Sequence, residues 1–232
     1  MIGFFDYTVI LTYFSLISAG VGIIVSLSGK GHPYMGVFFL LFCGLCDAFD
    51  GKVARTKKNR TKEEESYGIQ IDSLTDLVAF GVLPACIGSA VMRVSPRALH
   101  GFLGRFFGGW QEAVETGLFT VILIFYILMA MIRLAYFNVT EEERKKTEGG
   151  VRKFYTGLPV TSAALIFPLV LLLQYITPSD IAPVYFVTML FTGLAFVSRL
   201  QVKKPGMKGI LIMVGIGVIE FALIMFGLLV RH

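Results

Sequence analysis

The sequence predicts an all-α protein, built as a polytopic bundle of membrane-spanning helices. Hydrophobic residues make up 55% of the 232 positions, and the mean hydropathy of +0.74 is too high for an ordinary soluble domain. The apolar residues fall in segments of about 20, the length that a helix needs to cross a bilayer. Lys and Arg concentrate in alternate connections between those segments, as they do in membrane proteins.

Seven hydrophobic segments account for most of the chain, within a range of six to eight spans, and we expect one membrane-embedded domain over residues 1–232. The start of the chain lacks a basic stretch, so we expect no cleaved signal peptide. The stretch 94–116 is interpreted as an external loop or interfacial helix, with an extra span as the alternative. The segments are 7–27, 34–55, 70–92, 117–138, 155–176, 182–199 and 208–230.

The basic residues predict the orientation. Fifteen of the 21 Lys and Arg residues lie in the connections 52–67 and 139–154 and around 199–208, which all fall on one side of the predicted bundle. The positive-inside rule makes that side cytoplasmic. We therefore expect an integral protein of the cell membrane with a cytoplasmic N-terminus. The net charge of +5 then faces lipid headgroups, and we expect no nucleic-acid partner.

Four aspartates at the edges of two apolar segments are the main candidate functional residues. Asp47 and Asp50 are three residues apart, and Asp72 and Asp76 are four apart, so each pair shares a helix face with Cβ atoms roughly 5–6 Å apart. Carboxylates near hydrocarbon are costly and mark functional sites. The orientation places both pairs at the same cytoplasmic depth. Two converging helices would present four carboxylates to one point, and such all-oxygen sites suit magnesium or manganese.

These aspartates belong to a longer pattern that covers residues 47–76. It reads Asp47-x-x-Asp50-Gly51-x-x-Ala54-Arg55, followed by Gly68-x-x-x-Asp72-x-x-x-Asp76. The pattern resembles the signature of the CDP-alcohol phosphotransferases at every fixed position. Twelve residues, 56–67, separate Arg55 from Gly68, where the family commonly has about eight. We therefore expect a longer cytoplasmic loop beside an intact site.

Three further motifs resemble the phosphatidylserine synthase subgroup of that family. Beyond residue 170 the resemblance fades, and the spans within 182–230 are generic. The motifs are Asp72-Ser73-Leu74-Thr75-Asp76 with Phe80-Gly81-Val82-Leu83-Pro84, Arg133-Leu134-Ala135-Tyr136-Phe137-Asn138, and Gly157-Leu158-Pro159.

The resemblance implies transfer of a phosphatidyl group from CDP-diacylglycerol to the hydroxyl of L-serine, giving phosphatidylserine and CMP. It implies that Asp47, Asp50 and Asp72 hold two Mg²⁺ or Mn²⁺ ions. Asp76 would take the proton from the acceptor hydroxyl and would also touch a metal. A homodimer within the membrane lipids is also implied.

Candidate contacts to the CDP-lipid lie on the first three predicted spans. Gly51 and Ala54 are small, which lets a nucleotide approach the helix backbone, and Gly68 would act in the same way. Arg55 offers a fork of donors to a phosphate. Thr12, in the first span, matches the first position of a Thr-x-x-Asn-x-x-x-Gly pattern of the family.

Candidate contacts to the acceptor lie on the fourth predicted span. An arginine inside a span must face a polar cavity or an anion, so Arg133 would bind the serine carboxylate as a bidentate partner. The alternative is a structural ion pair with an aspartate or with Glu142. Asn138 would orient the acceptor, with capping of the helix C-terminus as the alternative. Glu220, in the last span, is interpreted as a hydrogen-bonding or interface residue.

Two other functions stay open at the level of sequence. Glycerol 3-phosphate or inositol phosphate would preserve the chemistry and change the acceptor, and Tyr136 stands where the subgroup has a second arginine. A cation transporter would use the aspartates alone and would leave Gly51, Ala54, Arg55 and Gly68 unexplained.

Overall fold

The computed structural model describes residues 3–29, 33–95, 106–147, 154–175, 180–203 and 207–230. Within these residues the predicted all-α class is confirmed, apart from one pair of short strands. The helices are α1 (Ile10–Leu27), α2 (Pro33–Ala54), α3 (Lys62–Asp76), α4 (Leu83–Val94), α5 (Gln111–Thr147), α6 (Ala163–Leu172), α7 (Ala182–Phe196) and α8 (Met207–Val230). The strands are β1 (Phe154–Thr156) and β2 (Gln201–Lys203).

Several of these helices are suited to a membrane. Four are long and apolar enough to cross one, and two shorter helices are also apolar. The chain is therefore a helical membrane protein, and the count of seven spans stays a prediction. The four long helices are Tyr7–Leu27, Lys62–Val94, Gln111–Glu141 and Lys208–Gly227, and the shorter ones are Val160–Leu172 and Ala182–Phe196.

The predicted loop 56–67 is too long, because its second half is helical. Thr61 caps α3 by accepting a hydrogen bond from the Glu64 amide at 3.1 Å, and the Glu64 side chain accepts one from the Thr61 amide at 3.0 Å. This reciprocal capping box satisfies two amides at the helix start. The helix therefore begins at Lys62 and not near residue 70.

The fourth predicted span also ends too early. The helix α5 continues through Asn138 to Thr147, so Asn138 cannot cap its C-terminus. An ion pair between Arg144 and Glu141 at 2.6 Å lies on the added turns, where i,i+3 pairs of opposite charge favour helix. In the stretch 94–116, residues 96–105 lie outside the described part, and α5 already begins at Gln111.

The fifth predicted span, 155–176, begins too early, because its first residues are not helical and the helix α6 starts only at Ala163. Here β1 pairs antiparallel with β2, and Gly157 turns the chain with a φ of +79°, a conformation that suits glycine. The amide of Gly157 donates to the carbonyl of Leu200 at 2.7 Å. A single 3₁₀ turn, Val160–Ser162, then leads into α6. The strand pair therefore joins the basic connection 139–154 to the basic connection around 199–208.

A π-helical stretch, Leu77–Val82, joins α3 to α4 directly after Asp76. Pro84 follows and has no N–H, so an α-helical hydrogen bond to the Phe80 carbonyl cannot form. The Tyr126 hydroxyl of α5 donates to that carbonyl at 2.7 Å. Tyr185 of α7 donates to the Pro84 carbonyl at 2.8 Å. Buried hydrogen bonds from two other helices thus hold the junction behind the acidic residues.

The core lies where α5, α6 and α7 pack beside this junction. The ring of Phe167 lies 5.5 Å from that of Tyr126 and 5.0 Å from that of Tyr185, and all three are fully buried. The helix α2 approaches α6 through Gly44, where a Cβ would lie 2.6 Å from the Cβ of Ala164. Small residues permit such close helix contacts in membranes. This contact brings the C-terminal half of α2 beside the start of α6.

Candidate active site

Three of the four aspartates converge. Carboxylate oxygens of Asp47, Asp50 and Asp72 lie within 4.8 Å of one another, so α2 and α3 meet at this point. The Asp50 carboxylate also accepts a hydrogen bond from the amide of Gly51. Next to Asp72, Ser73 exchanges hydrogen bonds of 3.1 and 2.8 Å with Asn138. Helix α5 therefore fixes the rotation of α3 close to the carboxylates.

The acidic group opens onto a cavity of about 750 Å³. Asp76 lines it together with Asp47 and Asp72, although Asp76 is not one of the three clustered residues. Along α2 the lining changes from apolar residues at 38–45 to mostly polar or charged residues from 47 onward, so the cavity has a polar end and an apolar end, which suits a ligand with both characters. The polar end contains Asp47, Gly51, Lys52, Arg55, Asp72, Asp76 and Arg133, and the apolar wall includes Phe38, Leu41, Leu45, Leu165, Met213 and Phe221.

Arg133 is a cavity residue that is only 6% exposed. Its guanidinium carbon lies 5.0 Å from the ring centre of Phe137, a cation–π distance. The Gly157 turn packs against it, since a Cβ at that glycine would lie 3.4 Å from the Arg133 Nε. The strand pair therefore supports the wall in which Arg133 lies.

Five predicted site residues lie outside the cavity wall. Thr12 is buried on α1, and Asn138 is hydrogen-bonded to Ser73. The Cβ position of Gly68 is occupied by the guanidinium of Arg60. The roles assigned to these five remain predictions: they are Thr12, Asp50, Ala54, Gly68 and Asn138.

Other functional candidates were not found from the sequence. Lys52 lines the cavity, and its Nζ lies 4.7 Å from the ring centre of Phe49. Its position directly after Asp50-Gly51 in the sequence could have indicated that it lies at the site. Helix α8 forms part of the apolar wall through Gly217 and neighbouring residues. No local pattern marks that role, because it depends on long-range packing.

Glu220 is a buried residue of α8 with an exposed fraction of 3%. Neither of its carboxyl oxygens has a hydrogen-bond partner in the described part of the chain. The described residues therefore give no support to the predicted hydrogen bond.

Two ion pairs of Lys57 hold the loop that leads into α3. Lys57 Nζ lies 2.7 Å from Asp6 Oδ2 and 2.9 Å from Glu64 Oε1. The hydrogen bond from Lys57, with a second from Thr8, lowers the pKa of Asp6 to about 2. The hydrogen bonds to Asp6 and Glu64 raise the pKa of Lys57 in turn. The start of the chain is thereby tied to the connection between α2 and α3.

The clustered residues fit a divalent cation. Three carboxylates offer oxygen atoms close enough to share one ion, and hard cations prefer such donors. Carboxylates this close repel one another unless a cation or a proton offsets their charge. A bound cation would offset this repulsion.

A family model described as CDP-alcohol phosphatidyltransferase matches residues 7–198. The chain belongs to this family. The match covers the acidic cluster, Arg133 and the Gly157 turn, and it stops before α8. The family expected from residues 47–76 is thereby confirmed.

Curated relatives within this family share one name. The chain is 35% identical to a CDP-diacylglycerol–serine O-phosphatidyltransferase of Saccharomyces cerevisiae over 69% of this chain and 51% of that protein. It is 29% identical to one of Helicobacter pylori over 56% of this chain and 43% of that protein. A relative with this name from Mycobacterium tuberculosis is 26% identical over 75% of this chain and 53% of that protein. The chain spans about half the length of the curated relatives it matches.

Proposed function

We propose that the chain transfers the phosphatidyl group of CDP-diacylglycerol to the hydroxyl of L-serine, giving phosphatidylserine and CMP. The observation that carries the proposal is the acidic group of α2 and α3 at the polar end of a cavity whose other wall is apolar. A nucleotide-activated lipid has the same division between charge and hydrocarbon. Relatives named for this reaction support the choice of substrates.

The substrate would lie along the cavity with its diphosphate at the acidic group. Arg55 would donate to a phosphate oxygen, and Gly51 would let the nucleotide approach α2. The same function is proposed for Ala54. Gly68 would contribute by leaving room for the guanidinium of Arg60 beside α3, and Thr12 would support the site from α1. The acyl chains would follow the apolar wall between α2 and α8, where burial of hydrocarbon is favourable.

Asp47, Asp50 and Asp72 would hold magnesium or manganese, two ions in the full proposal. When bound, such ions offset the charge of the diphosphate and of the leaving CMP. Asp76 would accept the proton of the serine hydroxyl as the hydroxyl oxygen bonds to the lipid phosphorus. The bond from that phosphorus to the CMP oxygen breaks. Because a carboxylate is a weak base, positioning of the reacting groups by the cavity would contribute most of the rate acceleration.

Arg133 would hold the carboxylate of serine, with Asn138 orienting the acceptor indirectly through α3. A buried guanidinium is suited to a planar carboxylate because two parallel hydrogen bonds can form. Lys52 is a further cation in the cavity. It favours the alternative that the acceptor carries a phosphate, as glycerol 3-phosphate and inositol phosphate do.

The membrane topology and the oligomeric state are also proposed. We place the active site and the N-terminus on the cytoplasmic side of the cell membrane, with seven spans in one domain and two copies in a homodimer. The basic connections support the orientation. The mass of the purified protein in detergent, corrected for bound detergent, tests the dimer.

The decisive experiment measures CMP release by the purified protein with CDP-diacylglycerol and either Mg²⁺ or Mn²⁺. L-serine, glycerol 3-phosphate and inositol phosphate are supplied in separate reactions. Release that requires both serine and metal is expected. Release with another acceptor would replace serine in the proposal. Folded protein that releases CMP with none of them would contradict the proposed reaction and favour an ion site.

A further inference from the structure

Arg60 occupies the space beside Gly68 that the sequence analysis predicts to be open to a nucleotide. Its Nη2 atom lies 2.7 Å from the position that a Cβ on Gly68 would occupy. A side chain at residue 68 would therefore displace the guanidinium. In this chain the glycine lets a cation rest against the helix α3.

The cation lies on the acidic face of that helix. Gly68, Asp72 and Asp76 recur every four residues, so they share one face of α3. Four residues correspond to about 6 Å along a helix. The guanidinium of Arg60 therefore lies about one helical turn before Asp72.

The hydrogen-bonding capacity of Arg60 is only partly used. Its Nη2 donates to the Glu64 carbonyl at 3.2 Å. Its Nε is buried, and within the described ranges this atom has no hydrogen-bond partner. A guanidinium has five N–H donors, and buried donors without an acceptor are uncommon in folded proteins. The other N–H groups of the guanidinium can be offered to an anion with several oxygens.

Neighbouring contacts hold the loop around Arg60 in place. Lys57 binds both Asp6 and Glu64, and Thr61 forms the capping box with Glu64. The loop is therefore anchored three residues before Arg60 and one residue after it. A donor that is already positioned loses less entropy when it binds a ligand.

We propose that Arg60 is a further substrate-binding residue, which donates to the phosphate oxygens of the nucleoside diphosphate. This inference rests on the function proposed above. Arg60 belongs to the twelve-residue connection between Arg55 and Gly68.

Binding of CDP to the purified protein, measured by calorimetry with Mn²⁺ present, tests the role of Arg60 without any need for turnover. Arg60→Gln should weaken CDP binding about tenfold, which corresponds to about 1.4 kcal/mol for one lost charge-assisted contact. Arg60→Lys, which keeps the charge, should recover part of the affinity. Lys58→Gln is the matched control, because it removes an exposed cation from the same loop and should change CDP affinity less than twofold.

The outcomes separate this inference from the proposed function. Equal CDP affinity in Arg60→Gln and wild type, with loss of binding in Asp47→Asn, would overturn the role of Arg60 and leave the proposed function intact. An equal loss of affinity for CDP and for uncharged cytidine would also overturn the phosphate contact. Wild-type protein that binds no CDP with either metal would remove the basis of both proposals. Melting temperatures of all variants verify that the comparison is between folded proteins.

Discussion

At the scale of single residues, Asp76 differs from the other aspartates in its surroundings. It lines the same cavity as Asp47 and Asp72, yet it is outside the group of three whose oxygens lie within 4.8 Å. A carboxylate that lies beside the three clustered carboxylates without being one of them is available to a substrate. This position supports the proposed role in proton transfer.

Asp76→Asn should abolish turnover, because an amide cannot accept the proton of the acceptor hydroxyl at the required point. Nucleotide binding should stay largely intact, since the three clustered carboxylates remain. CMP release and CDP affinity are measured on the same preparation. Loss of CDP binding together with turnover would contradict the assignment of Asp76 as the base, and would make it part of the metal group.

Arg133→Lys should raise the KM for serine at least about tenfold, because an ammonium cannot reproduce the planar two-point contact of a guanidinium. The KM for CDP-diacylglycerol should change little. Arg144→Lys is the control on the same helix, since Arg144 lies on the added turns and pairs with Glu141. Equal increases in both KM values would show that Arg133 supports the structure and does not select the acceptor.

At the scale of elements, the junction of α3 and α4 depends on groups from other helices. Pro84 prevents one backbone hydrogen bond, and the hydroxyl of Tyr126 replaces it at the Phe80 carbonyl. The junction directly follows Asp76. Any shift of the π-helical stretch would therefore move the acidic face of α3 relative to α2.

Tyr126→Phe should lower the melting temperature by about 2–4 °C, the shift that follows from the loss of about 1 kcal/mol in a protein of this size. The reason is that the Phe80 carbonyl would remain buried without that donor. Tyr136→Phe removes a hydroxyl from the same helix at a residue that is 56% exposed, so it should have almost no effect. Identical melting temperatures for wild type and Tyr126→Phe would show that the hydrogen bond contributes nothing to stability.

At the scale of the whole molecule, contacts between distant segments complete the site. The segment before α1 is bound to the loop before α3 through Asp6 and Lys57. The strand pair joins the residues after α5 to those after α7. Helix α8, which lies beyond the family match, adds part of the apolar wall.

The contact between Asp6 and Lys57 should make stability depend on pH. The pKa of Asp6 is about 2 in the folded protein, below its ordinary value of 3.8. Its stabilising contribution is therefore complete above about pH 4 and is lost as the pH falls toward 2. Asp6→Asn should lower the melting temperature at pH 6, and the difference from wild type should narrow below pH 4. Glu63→Gln, an exposed change on α3, should show no such dependence, and a difference that does not vary with pH would contradict this explanation.

The orientation of the bundle can be tested through its lysines. Ten of the eleven lysines lie in segments predicted to be cytoplasmic, and the exception is Lys30. A membrane-impermeant amine reagent should therefore modify the peptides around residues 57–62 and 203–208 in inside-out vesicles only. Modification of these peptides in right-side-out vesicles would reverse the orientation.

Much of the site could be predicted from sequence because the information is local. Asp47 and Asp50 lie on one turn of helix, and Asp72 and Asp76 on another. Helical spacing therefore decides which face each pair shares. The helix boundaries near Lys62 and Thr147 were less predictable, because capping and ion pairing extended the helices into charged sequence that resembles a loop.

The amino-acid sequence by itself determined the membrane class, the helical segments, the family and the two acidic pairs, because hydropathy and spacing along one helix are properties of neighbouring residues. Only the tertiary structure decided that Arg60 rests on Gly68, that the Gly157 turn supports Arg133 and that α8 closes the apolar wall. Each of these contacts joins separate elements. Their geometry follows from how the elements pack against one another, which no local pattern in the chain records.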